Sequence, residues 1–116
     1  MSQLRLHIEQ QDQTAIIRCV GRLTLDEEAQ VLRKALRDVM QPQVIIDLSQ
    51  VSQIDGSGIG VLVEAARARS AQQRSLRIGP STPFLCAVFE VVGLRSILLE
   101  RAELGHHHNG YWAESA

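Results

Sequence analysis

Between Ile54 and Val61 the chain reads Asp55-Gly56-Ser57-Gly58-Ile59-Gly60, a polar, glycine-rich run with apolar residues on either side. Residues of these types suit three chemistries. The first is nucleotide binding, in which amides at a strand-to-helix corner cradle phosphate. The spacing excludes it: a dinucleotide fingerprint needs Gly-x-Gly-x-x-Gly, position 61 is Val, and the Gly-Lys-Ser/Thr of a P-loop is absent. The second is hydrolysis with Ser57 as nucleophile. Gly-x-Ser-x-Gly is not met around Ser57, which Gly58 follows directly, and no pattern stands His7 beside it as a base. The third is phosphoacceptance. Ser57 carries the only hydroxyl of residues 55–60, its neighbours are small enough for another protein to approach, and first-turn amides favour an added anion.

A corner of this kind needs a strand before it and a helix after it. Val44, Ile45 and Ile46 form a β-branched triplet suited to a strand covered on both faces, closed by Asp47. In the connection that follows, Leu48, Val51 and Ile54 can point inward while Ser49, Gln50, Ser52 and Gln53 stay wet. Residues 61–69 are strong helix formers, which puts Ser57 in a helix first turn with Asp55 as a natural N-cap. Upstream, the alternation of residues 4–10 and the apolar run 14–20, split by Gln11-Asp12-Gln13, predict an opening hairpin in which His7 faces solvent. Gly21-Arg22-Leu23 reads as a corner. Thr24-Leu25-Asp26-Glu27 fits a capping box for a helix running to about Met40, with Leu25, Ala29, Leu32, Leu36 and Met40 on its docking face. Downstream, residues 75–78 predict a short strand broken by Gly79-Pro80-Ser81. A third helix then starts at Thr82-Pro83 and stops at Gly93, and residues 95–99 can add a final strand.

These elements amount to an α/β domain with a mixed sheet of four or five strands and helices packed mainly on one face. One hundred and sixteen residues suffice for one such domain, and only four of them are aromatic, so the core must be aliphatic. Twelve basic against thirteen acidic residues give a net charge of -1, which offers no field for holding nucleic acid or an anionic membrane. Cys19 and Cys86 sit in apolar contexts without paired spacing, as small core residues do in a reducing compartment. No signal-peptide block follows Met1 and no apolar run reaches membrane-spanning length, so the expected location is cytoplasmic, without membrane insertion. Residues 1–104 are expected to form the domain and residues 105–116 a C-terminal tail. Within that tail, His106, His107 and His108 are too close in sequence to converge on one metal ion from regular structure. No cofactor and no enzymatic activity are expected.

The run Val44-Ile45-Ile46-Asp47-Leu48-Ser49, Val51, and then Ile54-Asp55-x-Ser57-Gly58-Ile59-Gly60-Val61-Leu62 resembles the core signature of STAS domains, the sulfate-transporter and anti-sigma-factor-antagonist family. Thr82-Pro83, continuing through Phe89 to Gly93-Leu94, is similar to that family's third helix and its closing Gly-Leu, so the resemblance covers about residues 4–100. It implies a non-enzymatic regulatory domain whose partner is a serine kinase that is also an anti-sigma factor. That kinase phosphorylates the serine matching Ser57. Unmodified protein binds the partner, modified protein lets go, and a phosphatase is a further implied partner. The binding surface would comprise Asp55, Gly56, Ser57, Gly58, Ile59 and Gly60, joined by Thr24 across the neighbouring corner. Thr24 stands where related domains usually carry an acidic residue, and Gly56 where the phosphorylated subgroup often has Ser. The alternative the resemblance offers is an unswitched STAS subunit that stabilises an ABC-type lipid-transport ATPase or a signalling assembly.

Overall fold

In the computed structural model, which describes residues 4–93, the alternating N-terminal run becomes strand β1 (Leu4–Gln10). It pairs antiparallel with β2 (Thr14–Leu23), and the hairpin places His7, which is exposed, opposite Arg18. Helix α1 (Leu25–Asp38), strand β3 (Gln43–Ile54), helix α2 (Gly56–Ala71), strand β4 (Ser75–Ser81) and helix α3 (Pro83–Val91) follow in order. β3 runs parallel to β2 and β4 parallel to β3, giving a mixed sheet of order β1-β2-β3-β4.

Side chains two residues apart share a sheet face. Ala15, Ile17 and Cys19 of β2, Val44, Ile46 and Leu48 of β3, and Leu76 and Ile78 of β4 are accordingly buried together. Ala29, Leu32 and Leu36 of α1, Val61 and Leu62 of α2, and Leu85 and Phe89 of α3 close over them. Phe89 is the sole aromatic residue of this core, as the composition requires. On the other face Arg18 reaches Glu9 and, at 3.5 Å, Asp47, whose carboxylate also accepts the amide and hydroxyl of Ser49.

Burial, and secondarily the charge of Asp47, push the Cys19 thiol up to about 12. Cys86 is only partly buried and is raised by the same kind of desolvation, with Glu90 adding to it. Since the thiolate is the reactive form, iodoacetamide at pH 8 is expected to modify Cys86 in the native protein and Cys19 only after unfolding. Equal labelling of the two under native conditions, read by mass spectrometry, would contradict this packing.

Four boundaries differ from the sequence expectation, each for a local reason. β3 does not close at Asp47 but continues through Ile54, with Val51 still buried and Gln50, Ser52 and Gln53 exposed. β2 passes through the expected corner because Gly21, at φ 119°, absorbs a bend where the register with β3 slips. β4 runs on through Pro80, which is tolerated in the outermost strand of the described sheet. α1 stops at Asp38, leaving Met40 65% exposed, and Leu25 is 59% exposed; of the five expected docking residues, Ala29, Leu32 and Leu36 are buried, joined by the partly buried Val31 and by Val39 at the C-cap.

The cap of α1 is also shifted. Thr24 is the N-cap, but its side chain accepts no helix amide; its own amide and hydroxyl both donate to Glu28 Oε1 at 2.9 Å, so only the returning half of the expected box is made, and by Glu28 in place of Glu27. The cause is Leu25, whose φ of 66° places one left-handed residue between the cap and the regular helix. The expected strand at residues 95–99, the tail 105–116 and the three histidines lie outside the described residues.

Candidate functional site: a corner closed by one carboxylate

β3 delivers Asp55 in an extended conformation, and the side chain turns back over two helix starts. Its Oδ1 accepts the amides of Ser57 (3.0 Å) and Gly58 (3.2 Å) at the head of α2. Its Oδ2 accepts the amide of Leu25 (3.0 Å) at the head of α1. Asp55 thus caps α2 and ties α1 to it. These bonds, that from Leu25 foremost, hold the Asp55 carboxyl below its ordinary range against an opposing push from partial desolvation.

A carboxylate whose folded-state value is depressed adds stability above its unfolded value and loses it as pH falls through the folded one. Asp55→Asn keeps an oxygen that can cap α2 but sets an NH2 group against the Leu25 amide, so it is expected to cost about 0.5–1.5 kcal/mol at pH 7, the range for one hydrogen bond. That difference from wild type should shrink as pH falls below about 4, where the unfolded chain takes up the proton first and the native carboxylate, held lower, follows. Urea unfolding at pH 7 and pH 3 checks it, and a gap of constant size across that range contradicts the assignment.

Gly58 is buried beneath the corner. An added Cβ there would lie 2.4 Å from the Leu23 carbonyl oxygen and under 3 Å from the side chains of Leu23 and Ile54. Gly56 and Gly60 face open space and are exposed, and Ile59 is half-buried. The small residues thus divide into one that lets α2 approach the sheet and two that keep the surface low.

The Ser57 hydroxyl donates to Asp26 Oδ1 at 3.1 Å across the two helix heads, and the Ser57 residue is only partly buried. Asp26, Glu27 and Glu28 make the first turn of α1 acidic. The sequence reading missed Asp26 as a neighbour of Ser57, because the two are 31 positions apart and only the docking of α1 beside α2 brings them together. Its one local signal was the acidic run after Thr24. Thr24 itself is half-buried, held against Glu28. Leu25 beside it is both exposed and left-handed, a conformation that costs a non-glycine residue about 1–3 kcal/mol. His7 lies on β1 opposite Arg18, whereas Ser57 stands at the head of α2.

One expectation changes as a result. The first-turn amides that could have welcomed an anion on Ser57 are already occupied by Asp55, and the nearest side-chain partner of the hydroxyl is a second carboxylate. A phosphate here would project outward, without a cradle.

The mixed sheet, the long strand β3 and two helices starting side by side at its far end define a small α/β domain. The chain belongs to the STAS domain family, matched over residues 6–100 by the family described as "Mlab, STAS domain". Its fold is similar to that of the Bacillus cell-fate determinant SpoIIAA in the phosphorylated form, with a TM-score of 0.66, 20% identity, and coverage of 88% of this chain and 97% of that one. The unphosphorylated form of SpoIIAA, an anti-sigma factor antagonist, gives a TM-score of 0.67 and 20% identity over 86% of this chain and 92% of the other. An anti-sigma factor antagonist from Mycobacterium paratuberculosis gives 0.68 and 19% over 82% of each. At these identities the likeness is one of fold.

Proposed function

We propose that this STAS domain is a protein-binding switch of the anti-sigma-factor-antagonist kind, with Ser57 as phosphoacceptor. The observation that carries the reading is the placement of the Ser57 hydroxyl: in the first turn of α2, accessible, beside the low surface of Gly56 and Gly60. The partner is a serine kinase that doubles as an anti-sigma factor, and a phosphatase resets the mark. The docking surface comprises Asp55, Gly56, Ser57, Ile59, Gly60 and Thr24, with Gly58 supporting it from beneath. Transfer moves the γ-phosphoryl of ATP to Ser57 Oγ, and the hydroxyl proton leaves to a base of the kinase. The donor to Asp26 is thereby lost and replaced by an anion carrying about -1.5 to -2 charges.

Incubation with the cognate kinase and ATP, followed by peptide mass spectrometry, is expected to place one phosphate on Ser57. An unmodified serine after prolonged reaction with an active kinase removes the proposal.

The bond from Ser57 to Asp26 gives the unmodified hydroxyl a structural use, as a second reading requires: an unswitched subunit that stabilises an ABC-type transport ATPase or a signalling assembly. Under that reading Ser57→Ala leaves assembly intact, no phosphate is found in cells, and the ATPase is recovered with the tagged protein.

A further inference from the structure

At the opposite end of α1 and α2 from Ser57 a cleft of about 210 Å³ opens between the two helices. Arg33, Arg37, Arg69 and Arg74 line it against Glu64 as the single carboxylate, over an apolar floor that includes Leu36 and Ala65. Four of the twelve basic residues of a chain with net charge -1 therefore converge on one small space. They come from α1, α2 and the turn after α2, so only the packing gathers them.

Arg33 is committed to Glu64 at 3.2 Å, whereas among the described residues Arg37 and Arg74 make no ion pair with a carboxylate. Arg69 is 5% exposed, and its guanidinium donates to the carbonyls of Ser75 (3.1 Å), Val39 (3.4 Å) and Gln41. Three of its five N–H groups are used in this way, and no carboxylate pairs it among the described residues. Buried charges are ordinarily paired. Arg74 worsens the imbalance, since its charge adds to desolvation in lowering the basicity of Arg69.

We infer that this cleft binds a small soluble phosphate monoester, its phosphate held by Arg37, Arg74 and the outer edge of Arg69, its carbon stem lying on the apolar floor. Guanidinium groups match phosphate oxygens in fork geometry. The cavity is smaller than the ~300–1,000 Å³ of drug-sized sites, which suits a phosphate on a stem of a few carbons. The site is independent of the Ser57 switch.

The test is an NMR titration of the ¹⁵N-labelled full chain with glycerol 3-phosphate, and separately with inorganic phosphate and with glycerol. Saturable shifts are expected at Ala65, Ala68 and Arg74 with the ester, weaker binding centred on Arg74 with inorganic phosphate, and none with glycerol; inorganic phosphate binding as tightly as the ester would overturn the ester assignment. The double variant Arg37→Gln/Arg74→Gln should weaken binding at least tenfold, by loss of charge-assisted bonds. Glu64→Gln should strengthen it about two- to fivefold by freeing Arg33 from its surface pair. All three side chains reach solvent, so the variants keep the fold, which thermal melts confirm; Ser57→Ala should bind the ester as wild type does. Linear drift of all arginine signals without saturation, or unchanged affinity in the double variant, overturns the assignment. So does Glu64→Gln binding no tighter than wild type.

Discussion

Phosphate on Ser57 is expected to weaken partner binding by thirtyfold to several-thousandfold. Burying such an anion unpaired in an interface costs about 2–5 kcal/mol, and each 1.4 kcal/mol is tenfold in affinity. Repulsion from Asp26 and Asp55 is not the main term. Two unit charges at ~4 Å repel by about 1 kcal/mol in water, and that repulsion is present in the free protein as well as in the complex. Only its increase on drying reaches the affinity. Ser57→Ala, which removes a hydroxyl and adds no charge, should bind within about tenfold of wild type, because one neutral hydrogen bond contributes about 0.5–1.5 kcal/mol. Ser57→Asp brings one charge instead of nearly two and should fall between. Calorimetric titration of the kinase with each form measures all three. Equal affinity of the phosphorylated and unmodified forms would eliminate the switch and leave the unswitched subunit standing.

The other large effect is structural. Gly58→Ala is expected to destabilise the domain by about 3 kcal/mol, the upper part of the range for overpacking, because the new methyl meets a backbone oxygen at 2.4 Å and not the yielding end of a side chain. For a domain of this size that corresponds to a fall in Tm of roughly 12–24 °C. Gly56→Ala and Gly60→Ala meet nothing within 4 Å, so they are expected to be neutral or to raise stability by up to about 1 kcal/mol through helix propensity. Scanning calorimetry of the three variants separates a glycine required by packing from glycines that only keep the surface low. Similar melting points for all three would mean that α2 does not approach Leu23 so closely.

The order of elements was legible because each strand and helix carries its own periodicity, and Asp55, Thr82 and Pro83 announce their helices locally. The illegible part depended on contacts between distant segments. Arg69 reads in sequence as one more solvated residue of an Ala-Arg-Ala-Arg run, and its burial follows only from the carbonyls that the turn after α1 and the start of β4 present to it. Glu28 was passed over for Glu27 because a left-handed Leu25 cannot be anticipated from a residue type that rarely adopts that conformation. Pro80 was taken as a break because nothing local says that β4 lies at the edge of the described sheet. At the candidate site, the serine and its cap were visible within six residues, whereas Asp26 entered only through the docking of the two helices.

That single carboxylate at position 55 has a mechanical consequence. Since its two oxygens grip the beginnings of different helices, neither can be tugged without loading the other. A protein leaning on the bent leucine at the head of α1 would transmit its push into the turn that bears the serine, over the length of one side chain. The corner responds as a yoke does, and a hand on either arm moves both.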